Sequence, residues 1–170
     1  MNLASELDAF LIRDAKAERF ARQFAPALTG VTLMRDDALE DVLVRYQNTA
    51  GIYFWVMAVE SAKYAIYIGQ ANPLSRRLIN YISDFQAHSP NDYKLQIFHA
   101  FMSELSPPGT LDLYFAPTDA AALAPTETAA KRFYRPLLND LPQPAKEARQ
   151  KLREAFAEYY RSAIRKKLKP

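Results

Sequence analysis

Apolar residues in the first part of the chain fall at Leu7, Phe10, Leu11, Ala17, Phe20, Ala21 and Phe24, with charged residues between them. That three-and-four spacing predicts one buried helical face over residues 5–24, with Ser5 as N-cap and Pro26 as the stop. Leu39, Val42, Leu43 and Tyr46 repeat the spacing and predict a shorter helix over 36–46. The pattern then changes. Residues 52–59 and 64–68 are dense in β-branched and aromatic side chains around the polar tip Glu60-Ser61-Ala62-Lys63, which predicts an antiparallel hairpin with Trp55 in the core.

Asn72-Pro73 offers an N-cap and a first-turn proline for a helix to about residue 85, placing Arg77 and Tyr81 four apart on one face. A loop holding His88 leads to a helix over 93–105 that includes His99 and ends at Pro107-Pro108-Gly109; residues 111–115 then alternate as a third strand. Residues 119–134 are helical in composition with Pro125 among them, so the helix bearing Glu127 is expected to begin near that proline. Pro142 and Pro144 mark a linker to a last helix over 145–168. The expected fold is therefore α/β of the α+β type, a small three-stranded antiparallel sheet flanked by helices. One compact domain would hold an N-terminal helical extension (1–48), a core (49–142) and a basic C-terminal helix (143–170).

The 170 residues, 49% hydrophobic and 24% charged, suffice for one such core and are too few for two comfortable ones. No apolar stretch approaches the length of a membrane span, and the start of the chain lacks a basic-then-apolar signal, so a soluble cytoplasmic protein is expected. The absence of cysteine excludes disulfides, thiolate metal sites and a cysteine nucleophile. Oxygen ligands and tyrosines are left for chemistry.

Gly51-Ile52-Tyr53 is followed fourteen residues on by Tyr67-Ile68-Gly69, and then by Arg77, Tyr81, Glu127, Tyr134-Arg135-Pro136 and Asn139 in order. Either tripeptide alone is what any buried strand next to a glycine looks like. The ordered set over residues 50–140 resembles the GIY-YIG nuclease superfamily, whose pattern has an arginine eight residues after the second glycine, a tyrosine four later, a metal-binding glutamate on a later helix and an asparagine after it. Two departures stand out: the link between Tyr53 and Tyr67 is slightly long, so the tip at 60–63 would protrude, and Gln70 stands where some members carry lysine.

The resemblance implies a metal-dependent endonuclease acting on DNA phosphodiesters. Glu127 would bind a single Mg²⁺ or Mn²⁺, since hard cations take oxygen ligands and keep several waters. Arg77 would hold a non-bridging phosphate oxygen, with Arg76 beside it as a further nucleic-acid contact. Tyr53 is favoured as general base with Tyr67 and Tyr81 as hydrogen-bond partners, although a phenol needs help to act as a base near neutral pH. Asn139 would position the end of the core or contact phosphate. Arg165, Lys166 and Lys167 belong to a basic last helix that attracts a phosphate backbone or is simply a solvated helix packed through Leu152, Phe156 and Ile164. Two other readings stand beside the enzyme: a catalytically silent nucleic-acid-binding module, and a protein-interaction domain on the same fold. DNA against RNA, specificity, biological role and a homo-oligomeric state are left open.

Overall fold

A computed structural model of the chain describes residues 7–31, 37–79, 94 and 109–139. The expected helices over 93–105 and 145–168, both histidines, Tyr81 and the Arg165-Lys166-Lys167 cluster lie outside these residues, apart from Lys94. The fold is α+β: helices α1 (Ala15–Gln23), α2 (Asp37–Arg45), α3 (Leu74–Leu78) and α4 (Leu123–Tyr134) surround strands β1 (Ala25–Leu28), β2 (Gly51–Val59), β3 (Ala62–Ala71) and β4 (Thr110–Pro117). Short 3-10 turns occupy Asp8–Phe10 and Ala120–Ala122.

The sheet has four strands rather than the expected three, all antiparallel, in the order β1-β4-β2-β3. The extra strand, Ala-Pro-Ala-Leu, has no β-branched residue to announce it, and Pro26 is tolerated because β1 is an edge strand. The single helix expected over 5–24 is likewise broken. Leu11 bridges Tyr64, and the Ile12 N–H donates to the Lys63 carbonyl at 2.8 Å, so this stretch extends alongside β3 before α1 begins. Pairing with a distant strand overrides the local helical spacing. Asp14, with φ 52°, makes the turn into α1.

The hairpin is tighter than its polar tip suggested: Val59 pairs with Ala62, leaving Glu60-Ser61 as a two-residue turn with Glu60 at positive φ. Lys63 does not protrude, since its Nζ donates to the Tyr114 hydroxyl at 2.6 Å. Pro73, not Asn72, takes the N-cap position of α3. In α4, Pro125 falls in the first turn, where backbone N–H groups have no intrahelical partner, so the helix runs through it without loss.

Both faces of the central strands are covered, which is why β2 reads as an unbroken apolar run. One layer gathers Tyr53, Trp55, Met57, Ile66, Tyr67 and Leu113 with Val42, Leu74 and Leu78 from α2 and α3. The other gathers Ile52, Phe54, Val56, Ala65 and Ile68 with Phe20 and Phe24 of the α1 region and Ala130 and Tyr134 of α4. A bulge decides who joins which layer. Trp55 pairs with Tyr67 and Val56 with Ala65, so Ile66 is an extra residue. It brings Tyr64 and Tyr67, which strict alternation would send to opposite faces, into the same layer.

The outer edge of β3 is closed by side chains and by distant backbone. Leu137 and Leu138 donate N–H bonds to the carbonyls of Ala65 and Ile66 at 3.0 and 2.9 Å. The Asn139 amide completes the row: its Oδ1 accepts from the Ile68 N–H at 2.8 Å and its Nδ2 donates to the Ile68 carbonyl at 2.9 Å. Unpaired strand edges invite association, and this one is sealed as far as Ile68.

Candidate functional site

Tyr53 and Tyr67 leave adjacent strands β2 and β3 into the same layer, their ring centroids 6.1 Å apart and tilted by 39°. Tyr53 lies directly opposite Gly69 in the register. Its ring folds across that glycine so closely that a Cβ there would collide with Tyr53 Cζ and Oη and stand 2.9 Å from Cε1. The glycine of the second tripeptide is thus the seat for the tyrosine of the first. Gly51 is constrained in the same way, because a Cβ on it would run into the Ala116 carbonyl and the Phe115 ring.

Helix α3 supplies the cation. Leu74 and Leu78 anchor it in the layer of the tyrosines, and Arg77 between them donates from Nε to the Tyr53 hydroxyl at 3.3 Å. A cavity of about 330 Å³ opens beside this pair, lined by Gln70, Ala71, Asn72, Pro73, Arg76 and Arg77. Its position follows from the edge of β3. Ile68 spends both backbone groups on Asn139, and two residues further on Gln70 turns its own N–H and C=O the same way with no cover among the described residues. The cavity begins where the sealing of the strand stops.

Glu127 is brought in from the other layer. It shares the α4 stripe of Leu123, Ala130 and Tyr134, and its side chain is 15% exposed, with Oε1 2.7 Å from Lys131 Nζ. Strand alternation puts α4 on the side of β3 opposite to Tyr53 and Arg77. Of the residues singled out in the sequence, Tyr53, Tyr67, Arg76 and Arg77 therefore form one group, and Glu127 stands apart from it across β3. Both amide atoms of Asn139 are used in binding Ile68, which places it at the end of the core. Among the described residues no cluster of three or more His, Cys, Asp or Glu side chains is suited to a metal, so Glu127 offers a single carboxylate.

Three residues have places at these sites that the sequence did not assign them: Lys131, Gln70 and Asn72. Lys131 was readable, because Glu followed by Lys at i,i+4 is a helix-surface pair. The lining role of Gln70 and Asn72 was not, because it depends on where the edge of β3 opens. No protein-family model, curated protein or solved structure matches the chain.

Proposed function

We propose that the chain is a metal-dependent endonuclease that hydrolyses DNA phosphodiester bonds, of the GIY-YIG type that its ordered motif residues resemble. The observation that carries this reading is the Arg77–Tyr53 hydrogen bond, with Arg77 and Arg76 both lining the adjacent cavity. Phosphodiester hydrolysis needs the phosphoryl oxygens held, a water made nucleophilic and developing charge stabilised. Arg76 and Arg77 hold phosphate oxygens at the cavity, Arg77 through a planar fork that lysine cannot reproduce. The Arg77 Nε–H bond fixes the position of the Tyr53 oxygen, the candidate to take a proton from water. Tyr67, against the Tyr53 ring, fixes its orientation.

Glu127 supplies the carboxylate for Mg²⁺ or Mn²⁺, a donor set that suits a cation keeping most of its waters. Such an ion would neutralise charge on the phosphate and its leaving oxygen, which requires the substrate to reach around the open edge of β3, since Glu127 stands across that strand from Arg76 and Arg77. Lys131, paired with Oε1, competes with the ion for this carboxylate. The described residues contain no helix long and apolar enough to cross a membrane. A binding module without turnover is the alternative reading. The test is incubation of the purified protein with supercoiled plasmid and Mg²⁺ or Mn²⁺, with EDTA and Glu127→Ala as controls. Nicking that both controls abolish supports the assignment; cleavage that survives Glu127→Ala removes Glu127 from the metal role, and binding without cleavage favours the silent module.

A further inference from the structure

The side of the sheet opposite the tyrosine pair carries a second concave surface. An open groove of about 740 Å³ runs along α4, lined by Pro125, Thr128, Ala129, Arg132 and Phe133 of that helix, with Arg19 contributed by α1. Its floor is the outer side of α4, where Thr128 and Ala129 are small enough for an extended chain to approach the helix closely. Its walls are cationic and aromatic. The Arg19 guanidinium stacks over the Phe133 ring at 4.4 Å from the centroid, and Arg19 Nε donates to Gln23 Oε1 at 3.3 Å. Arg132, exposed next to Phe133 on α4, has no ion pair or hydrogen bond among the described residues.

The charge around the groove is lopsided. Within α1 and α4 the basic residues Lys16, Arg19, Arg22, Lys131 and Arg132 face only Glu18 and Glu127, and Lys131 and Glu127 are already paired. An anion is what this surface lacks. Cationic walls around a stacked aromatic, over a floor that admits a backbone, are the elements with which proteins hold single-stranded nucleic acid without reading its sequence.

We infer that the α1–α4 groove binds single-stranded nucleic acid, with Arg19 and Arg132 on phosphates and the Arg19–Phe133 stack as the platform for a base. The choice of occupant rests on the proposed action on nucleic acid. The groove nevertheless shares no lining residue with the Arg76–Arg77 cavity, and the two can fail separately. The strand would be gripped behind the sheet while the cavity in front acts on it.

The test is fluorescence anisotropy in EDTA, using the full chain and a fluorescein-labelled thymidine oligonucleotide over a range of salt. Arg132→Ala should weaken binding and make the logarithmic salt dependence shallower by about 0.7, the change expected when one fewer phosphate of a single strand is neutralised. Phe133→Leu should weaken binding by roughly five- to a hundredfold, the span of one base stack. Ala129→Glu changes only an exposed helix position, so it leaves folding intact and should repel the strand. Unchanged affinity and salt slope in both Arg132→Ala and Ala129→Glu would overturn the inference, as would a duplex of the same length binding as well as the single strand. Loss of oligonucleotide binding in the groove variants of a protein that never nicks plasmid would uphold the groove and reject the nuclease; nicking with inert groove variants would do the reverse.

Discussion

Gly69→Ala is the smallest change that tests whether the two tripeptides work as one unit. The added methyl has no room, because the nearest atoms are the Cζ, Oη and Cε1 of Tyr53, and Tyr53 is only 2% exposed, with Tyr67 and the α3 anchors packed around it. Overpacking of a closed core costs about 1–3 kcal/mol. Part of the relief must come from moving the Tyr53 ring, which withdraws its hydroxyl from Arg77. Removing the ring instead, by Tyr53→Ala, costs about 3–5 kcal/mol as a large-to-small core change, but it also clears the space above Gly69. A double-mutant cycle separates the two effects. Gly69→Ala should be costly in the parent and in Tyr53→Phe, where Cζ and Cε1 remain, and nearly free in Tyr53→Ala. Urea denaturation gives the four stabilities, and the coupling should be about 1–3 kcal/mol. A Gly69→Ala variant within about 0.5 kcal/mol of the parent, or a penalty unchanged in the Tyr53→Ala background, would refute the argument that this glycine exists to seat the tyrosine.

The Tyr134 hydroxyl is buried with no hydrogen-bond partner among the described residues, so Tyr134→Phe should be neutral or stabilising by about 1 kcal/mol in thermal or chemical denaturation; a clear loss would show that the hydroxyl has a partner. Burial pushes the Tyr134 phenol up to about 12, against a small opposing effect of Arg19, so the unfolded chain gives up this proton first and stability should fall between pH 10 and 12, by roughly 2–3 kcal/mol at most, with Tyr134→Phe flattening that decline. Asn139→Ala removes both bonds to Ile68 and should cost about 1–3 kcal/mol while exposing the β3 edge to self-association, measured by denaturation and sedimentation. If the chain cleaves DNA, Arg77→Lys should lower kcat by about a hundredfold, because an ammonium replaces the planar fork. Lys131→Met should lower the Mg²⁺ concentration needed for half-maximal cleavage, and an unchanged metal titration would mean that the ion pair does not guard the carboxylate.

Local signals located β2, β3, β4, α2 and α4, since each is set by side-chain type and spacing within its own segment. They failed where a distant strand decides. Leu7, Phe10 and Leu11 have helical spacing, yet Leu11 pairs with Tyr64 and stops the helix. Ala25 to Leu28 became a strand only because β4 offered an edge. The Ile66 bulge was invisible because β3 is buried on both faces and so shows no alternation to interrupt. At the candidate site, the order of Tyr53, Tyr67 and Arg77 was legible and the reason for Gly69 was not, since it rests on the register of two strands. That Glu127 lies across β3 from the other three could be learned only from the layering.

The Asn139 clasp has a consequence for the chain as it is made. Its partner Ile68 precedes it by 71 residues, so at ribosomal speeds of about 5–20 residues per second the β3 edge waits roughly 4–14 s for its cover. During that interval the β2–β3 hairpin carries a row of open backbone groups next to apolar side chains, the form most exposed to wrong partners. Residues 11 and 12, already synthesised, protect only the end near the turn. A nascent chain whose residue 139 has not yet emerged from the ribosome should therefore depend on chaperones, and one in which it has emerged should not.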